Sequence, residues 1–386
     1  MKYKYSLALV TGVMCVTTSL MAADLAVFSA RKEAMGGVGV AVSNDESALY
    51  QNPAALAKVK GFKVKLPKVL GAFNTTFTDK NSQLQDFLNA KSDAGAQLTN
   101  LKALVPNTFA SRVALNPGLS VTMPGFGVGL FGGLDVLAKL SNPVFPELHV
   151  EGHTDIFPSV GFAGDYEFFD MPMSLGISAK YVIRQTMYNK ASGADTFIVQ
   201  SNDLMKLVNN ASDKPEISTY TTQGIGIDLG MLTPMDNLLG KGQWGVSLRN
   251  VLGTLGGSKD ITGAGSQSVT QTLPVVGAVG FAAETRLPSW VPLVSDVIGD
   301  FTWAADYQLI SPDTSFFKKT HVGVEKSVLF DIVKLRSGLN QGYITAGLGV
   351  DVWLVKFNYA YFAEELGPEI GMEPLKTHVF DLTFFF

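Results

Sequence analysis

The sequence predicts an all-β protein, a transmembrane antiparallel β-barrel of about fourteen strands with an N-terminal plug of short helices. Three observations predict it: period-two alternation of apolar and polar residues through most of the chain, an export-type N-terminus, and a final strand rich in phenylalanine. Helices would instead need apolar residues spaced three and four apart. Hydrophobic residues make up 46% of the chain, yet no second long apolar run follows the N-terminus, so the pattern predicts no transmembrane helix.

Residues 1–23 read as a secretory signal peptide. Lys2 and Lys4 form a short basic region, residues 6–20 are largely apolar, and small residues permit cleavage after Ala22 or Ala23. The single cysteine, Cys15, lies inside this segment, so the mature chain is expected to lack thiols and disulfides.

The polar faces of the predicted strands distinguish a barrel from a soluble sandwich. They carry glycine, serine, asparagine and isolated charges, which suits a barrel interior better than a solvated sheet face. The fourteen predicted strands are Gly61–Phe77, Phe109–Met123, Gly125–Ala138, Val150–Phe168, Pro172–Tyr188, Glu216–Leu232, Gly242–Thr254, Val269–Arg286, Asp300–Ile310, Lys318–Phe330, Ile332–Gln341, Tyr343–Leu354, Val355–Leu366 and Thr377–Phe386.

The last strand carries an apolar face that a soluble protein would rarely expose. This face consists of Phe380, Leu382, Phe384 and Phe386. An apolar edge invites aggregation in water, whereas a closed barrel places such a face against lipid. Terminal aromatic strands of this kind resemble the assembly signal of bacterial outer-membrane barrels, and the resemblance implies recognition by the barrel assembly machinery. The buried last strand of a soluble sandwich is the alternative.

Residues 24–60 are predicted to form a plug inside the barrel, which spans residues 61–386. Ser43 and Glu46 suggest a capping box, with Asp45 adding favourable charge to the first turn of a short helix. Asn52 is expected to cap a second helix that begins at Pro53. Gly36 and Gly37 permit close packing or a positive φ.

Two stretches break the strand pattern. Residues 82–105 and 201–210 carry leucines at helical spacing and are predicted to be insertions between strands. Strand parity places the first insertion on the extracellular side. Each is expected either to cover the barrel mouth or to be a solvent-exposed loop helix.

Several motifs resemble the FadL superfamily of outer-membrane proteins. In the plug, the resemblance runs through Met35-Gly36-Gly37, the Asp45–Tyr50 segment and Asn52-Pro53-Ala54. The C-terminal third, with Ser247-Leu-Arg249-Asn250 and Arg336-Ser-Gly338-Leu-Asn340, is more similar to the PorV-like and TraF-like branch. The resemblance implies a plugged barrel. In transporters of the superfamily a hydrophobic ligand binds in the lumen and leaves laterally through a strand kink, whereas the PorV-like branch serves protein secretion.

Seven charged residues fall on the polar faces of predicted strands: Lys180, Arg184, Asp228, Arg249, Asp351, Lys356 and Asp381. The cations Lys180, Arg184 and Arg249 are expected either to meet a ligand headgroup or to pair with Asp228, Asp351 or plug carboxylates and hold the plug in place.

Catalysis, cofactors and metals are not predicted. In His149-Val-Glu151-Gly-His153 the acid is misplaced for a metalloprotease motif, and strand geometry would hold the rings about 13 Å apart. No nucleophile elbow or complete dinucleotide fingerprint occurs. Removal of the signal peptide would leave 28 basic against 34 acidic residues, so nucleic acid is not an expected partner.

Two functions remain open at this level. The first is an outer-membrane channel for hydrophobic small molecules such as long-chain fatty acids, marked by an apolar lumen pocket beside the plug and a kinked wall. The second is a scaffold for protein secretion or conjugation, marked by an exposed apolar patch near residues 84–104. The expected partners are outer-membrane lipid and lipopolysaccharide, the assembly machinery, and either a hydrophobic ligand or a secreted protein.

Overall fold

The structure is a computed structural model that describes residues 20–21, 24–25, 27–74, 80–90, 93–105, 109–142, 144–168, 170–209, 217–237, 240–286 and 300–384. Fourteen antiparallel strands close into a barrel, confirming the predicted fold class. They are β1 Lys63–Asn74, β2 Phe109–Leu115 with Gly118–Met123, β3 Phe126–Ser141, β4 Glu147–Phe168, β5 Met171–Asn189, β6 Ile217–Asn237, β7 Gly240–Arg249 with Thr254–Ile261, β8 Gly265–Thr272 with Val276–Arg286, β9 Asp300–Ile310, β10 Thr320–Val328, β11 Val333–Asn340, β12 Tyr343–Val352, β13 Val355–Glu365 and β14 Pro374–Phe384.

Closure occurs between the first and last strands. β14 pairs with β1 from Thr377–Asn74 to Leu382–Val69, and each strand also pairs with its neighbour in sequence. Closure leaves no open seam between the first and last described strands, which is the arrangement that a bilayer demands of a sheet.

The strands present an apolar outer face and a polar inner face. On β14, Phe380 and Phe384 are about two-fifths exposed, whereas Asp381 and Thr383 point inward and are buried. The predicted outward direction of Phe380 and Phe384 is thus seen, while Phe386 lies outside the described residues. Separately, none of the described helices is both long and apolar enough to span a membrane.

The helical insertions pack against each other at one end of the barrel. Between β1 and β2 lie α2 (Asn81–Asn89) and α3 (Ala94–Leu104), and between β5 and β6 lie a short strand (Phe197–Gln200) and α4 (Ser201–Asn209). Their apolar sides form one buried cluster that includes Phe87, Leu101 and Leu204. The side-chain amides of Gln97 and Asn209 exchange two hydrogen bonds of 3.1 Å, so the two insertions form one cap.

Three strands are interrupted. β2 breaks at Asn116 and Pro117, β7 breaks between Arg249 and Thr254, and β8 breaks between Thr272 and Val276. Beyond the second and third breaks, the upper halves of β7 and β8 form a hairpin that pairs with β6. A further two-residue parallel pairing joins Leu20 and Met21, within the predicted signal peptide, to Gln271 and Thr272.

The plug packs inside the barrel as α1 (Ala30–Ala34) and two 3₁₀-helices, Glu46–Leu49 and Pro53–Lys58. Small and branched side chains such as Ala48, Leu49 and Leu56 are fully buried there. The predicted capping box was wrong, because Asp45 is the N-cap and accepts a bond from the Ser47 amide. Ser43 instead donates its hydroxyl to the Gly39 carbonyl, 2.6 Å away. Its side chain therefore supports the preceding turn.

Candidate functional site

Two glycines seat the plug against the barrel wall. Gly36 and Gly37 adopt φ values of 69° and 87°, which side-chain-bearing residues rarely reach. A Cβ on Gly36 would lie 2.2 Å from the Val322 carbonyl oxygen. The Gly36 amide donates to the Thr345 hydroxyl over 3.1 Å. Only glycine permits this approach between plug backbone and wall.

A buried carboxylate holds the next turn of the plug. Asp306 on β9 accepts hydrogen bonds from the backbone amides of Gly39 and Val40, at 2.6 and 2.9 Å. Asn52 caps the second 3₁₀-helix by accepting from the Ala54 amide, and its own amide donates to the Val40 carbonyl over 2.7 Å. These polar bonds satisfy plug backbone that would otherwise be buried without partners.

Ion pairs tie the plug to the wall on the β10–β11 side. Arg31 of α1 reaches Glu325 on β10 with two bonds of 3.0 and 3.1 Å, and Arg336 on β11 shares the same carboxylate at 2.6 Å. Burial alone would lower the pKa of Arg31, but the attraction of Glu325 outweighs it and holds that pKa above its usual range.

A second charged contact lies at β1. Lys65 pairs with Glu46 and lies 3.7 Å from Asp45. Burial would raise the pKa of Asp45, but the Lys65 and Arg31 cations hold it well below its usual range. The plug carboxylate therefore stays ionised and anchored.

Lys180 and Asp228, both predicted lumen residues, form one buried pair. The lysine ammonium lies 2.8 Å from each carboxylate oxygen, and both side chains are nearly inaccessible. Asp228 also accepts from the backbone amide of Asn250 over 2.8 Å, at the β7 break. The pair therefore supports an interruption of the wall and leaves neither charge available to a ligand.

The remaining predicted lumen charges pair elsewhere. Arg184 forms a bidentate pair with Asp155 on β4, at 2.7 and 2.8 Å. Arg249 lies 3.4 Å from Asp24, the first residue of the predicted plug. Asp351 and Lys356 pair at 2.9 Å beside the β12–β13 turn and are about a quarter exposed.

The β2 break is bridged by the Asn116 side chain together with two backbone bonds, from the Asn116 amide to the Leu70 carbonyl and from the Gly132 amide to the Pro117 carbonyl. Proline at 117 has no N–H, and the Asn116 side-chain amide donates to the Gly132 carbonyl of β3 over 3.3 Å. The side-chain oxygen of Asn116 accepts from the backbone amide of Phe28 over 3.1 Å. One residue thus joins the interrupted wall to the first part of the plug.

An aromatic pocket lies between this break and the plug. It encloses about 20 Å³ and is lined by Val27, Phe28, Glu46, Tyr50, Lys65, Asn116, Pro117, Gly118, Ser120, Phe131 and Gly132. Tyr50 packs edge-on against Phe131 at 5.2 Å, and Phe157 lies 5.4 Å beyond. The Arg112 guanidinium lies 5.5 Å from the Phe28 ring. The volume is about that of one water, so the pocket is closed in this conformation.

A larger polar cavity occupies the lumen on the other side of Phe28. It measures about 640 Å³, and its lining includes Asp24, Lys32, Glu33, Glu151, Arg249, Gln308, Asp313, His321, Asn340 and Glu364. Val27 and Phe28 line both spaces. The segment around Phe28 therefore separates a wide polar chamber from a narrow aromatic one.

The sequence reasoning missed several residues that organise these spaces. Asp155, Asp306, Glu325, Asn116 and Phe131 were not singled out, although each is buried or nearly so. Asp155 alternates with Phe157 and Ser159 on one strand face, which was a usable signal. The role of Asn116 depends on its distance from Gly132, which no local pattern contains.

No family model and no curated relative matches the sequence. Among solved structures, the chain is similar to the P. putida toluene transporter TodX (12% identity, TM-score 0.45, covering 94% of this chain and 98% of that one). It is also similar to the Ralstonia pickettii toluene transporter TbuX (13%, 0.46, 94% and 98%) and to a Pseudomonas aeruginosa FadL homologue (8%, 0.29, 95% and 99%).

Proposed function

We propose that the protein is an outer-membrane channel that passes small hydrophobic molecules from the polar chamber through the aromatic pocket and laterally into the bilayer at the β2 break. The observation that carries the proposal is the aromatic pocket itself, which lies between the plug and an interrupted strand. An apolar solute crosses a lipopolysaccharide-rich leaflet poorly, and such a pocket offers it a route with apolar contacts.

The substrate class follows from the pocket lining. Phe28, Tyr50 and Phe131 offer ring faces and edges, which favour flat apolar molecules such as the toluene named for TodX and TbuX. Long-chain fatty acids are the second substrate class. Their carboxylate would meet Lys32, which lines the chamber and forms no salt bridge with another described residue.

The scaffold function has less support. Its predicted mark was an exposed apolar patch near residues 84–104, but Phe87, Leu101 and Leu104 are buried in the cap. Outer-membrane lipid is the partner that the apolar outer face favours. Recognition of the last strand by the assembly machinery remains a prediction.

The β2 break provides the test. Pro117→Val restores an N–H where β2 is interrupted, and is expected to close the lateral route. Toluene and oleate uptake would be measured in cells that produce the folded variant at wild-type level. The control is Pro158→Val on β4, a strand proline that the β4–β5 ladder also skips but that does not line the aromatic pocket.

The expected result is loss of toluene uptake in the Pro117 variant and normal uptake in the Pro158 variant. Equal uptake by both variants, with a folded barrel in each, would overturn the lateral route. Native mass spectrometry of protein from outer membranes adds a second readout. A retained apolar molecule supports transport, whereas a bound polypeptide supports the scaffold.

A further inference from the structure

The hydrogen-bonded pairing of β8 with β9 does not extend to the upper half of β8. Their ladder stops at Gly277–Ile310, with a bulge that leaves Leu309 without a partner on β8. Above that point the upper half of β8 pairs with β7, and its other edge meets only Leu20 and Met21 among the described residues. Since those two residues belong to the predicted signal peptide, we expect this edge to have no partner among the described residues of the mature protein.

This split is built into the chain rather than being a frayed edge. The Asn250 side chain donates to the Pro274 carbonyl over 2.8 Å, and the Leu273 amide donates to the Gly253 carbonyl over 2.7 Å. Asn250 has a φ of 59° and is 1% exposed, and Leu273 is fully buried. Buried bonds on both sides of the break therefore turn the hairpin away from β9.

The polar chamber reaches this split from inside. Its lining includes Pro274 and Val276 on the β8 side, and Gln308, Ser311 and Asp313 on the β9 side. The chamber is therefore bounded by both edges of the interrupted wall.

The outer rim of the split is apolar. The bulge directs two consecutive residues outward, Leu309 (60% exposed) and Ile310 (53%), and Phe316 and Phe317 are each 61% exposed. The rings of Tyr307, Phe316 and Phe317 follow one another at 5.4 and 5.5 Å. Aromatic residues at a barrel rim are typical of the membrane interface.

The cavity lining selects among headgroups. Carboxylates outnumber cations there, with Asp24, Glu33, Glu151, Asp313 and Glu364 against Lys32 and Arg249. Three of these carboxylates are already paired within the protein, Asp24 with Arg249, Asp313 with Lys318 and Glu364 with Arg112. A charged headgroup would therefore find few open partners, whereas the side chains of Asn340 and Gln341 offer both donors and acceptors.

We propose that the β8–β9 split is a lateral portal that admits an outer-leaflet amphiphile with an uncharged, hydroxyl-rich headgroup. The headgroup occupies the polar chamber, while the chain stays outside against Ile310 and Phe316. The proposal extends the proposed transport function, because it adds a membrane-side binding site distinct from the β2 break. Its test measures binding and not uptake.

The experiment uses the mature chain, which is predicted to lack cysteine, purified from outer membranes and placed in lipid nanodiscs. Gln308→Cys, at the split, and Glu151→Cys, on β4 in the same chamber, are each labelled with bimane. The probes are an alkyl maltoside brominated on its chain, the matching brominated fatty acid, and iodide in water. Iodide reports the access of each label to the aqueous chamber.

The brominated maltoside is expected to quench the Gln308→Cys label saturably. Its quenching of the Glu151→Cys label should be at least tenfold weaker. Quenching of the Gln308→Cys label by the brominated fatty acid should also be at least tenfold weaker. Adding Ile310→Ser and Phe316→Ser is expected to weaken maltoside binding about tenfold, because the chain loses apolar contact. Phe330→Ser, at an exposed turn between β10 and β11, is the control and should leave binding unchanged.

Equal quenching of both labels by the maltoside would mean access through the open mouth and would overturn the portal. If iodide quenched the labels and the brominated maltoside did not, the portal proposal would be overturned as well. Normal toluene uptake alongside either result would leave the proposed channel intact, so the two proposals fail separately.

Discussion

The two interrupted regions of the wall differ in what covers them. At β2 the plug closes the break, and a pocket of about 20 Å³ lined with aromatic rings remains. At β7 and β8 the strands turn away from β9, and a polar chamber of about 640 Å³ borders the split. The difference shows that a strand break alone does not decide the character of an opening. The plug residues behind each break decide whether the opening is narrow and aromatic or wide and polar.

The two breaks are also held by different forces. The neutral Asn116 side chain and two backbone bonds bridge the β2 break. A buried ion pair, Lys180–Asp228, supports the β7 break through the backbone of Asn250. Because a buried charge without a partner costs far more than a lost neutral bond, the β7 break should be the more sensitive of the two.

Asp228→Ala is expected to have the largest effect. The substitution leaves the Lys180 ammonium buried without its carboxylate partner, which costs about 3–5 kcal/mol of unfolding free energy. Urea unfolding of the protein in lipid vesicles measures the loss.

Asp351→Ala serves as the matched control, because its Lys356 partner is 29% exposed. Its expected cost is about 0–1 kcal/mol. Similar losses for the two variants would show that the Lys180–Asp228 pair is not effectively buried.

Asn116→Ala is expected to cost about 1–3 kcal/mol, because it leaves the Gly132 carbonyl and the Phe28 amide without this partner. The same unfolding measurement applies. Asn100→Ala removes one exposed bond to the Asp86 carbonyl and is expected to cost about 1 kcal/mol or less. If the Asn100 variant lost more stability than the Asn116 variant, the bridging role of Asn116 would be refuted.

The smallest effects should come from adding a methyl group at each break. A Cβ on Gly132 would lie 2.9 Å from Cγ of the Pro117 ring, whereas one on Gly277 would lie 3.1 Å from Cδ1 of Ile310 and 3.2 Å from its Cβ. Gly132→Ala should therefore cost about 1–2 kcal/mol through overpacking, and Gly277→Ala, with its looser contacts, about 1 kcal/mol or less. Thermal unfolding in matched detergent would rank the two, and the reverse ranking would contradict the rigid contact at Pro117.

Local patterns were sufficient for the wall and for part of the plug. Alternation predicted all fourteen strands, and the Asn52-Pro53 pair predicted the start of a short helix, which the structure shows as a 3₁₀-helix. The pairing of Arg184 could not be predicted, because Asp155 lies 29 positions away and reaches it through the β4–β5 register. The capping error at Ser43 has the same origin, because Ser43 and Asp45 are both competent caps in sequence and only the plug's packing chose between them.

The sequence by itself determined the barrel class and the directions of its faces, because side-chain alternation and the requirement to satisfy every backbone group in lipid leave few other arrangements. Only the tertiary structure decided which breaks are closed and which charges are paired. Those outcomes depend on where the plug sits within the closed wall, and they join residues such as Phe28 and Asn116 that are 88 positions apart.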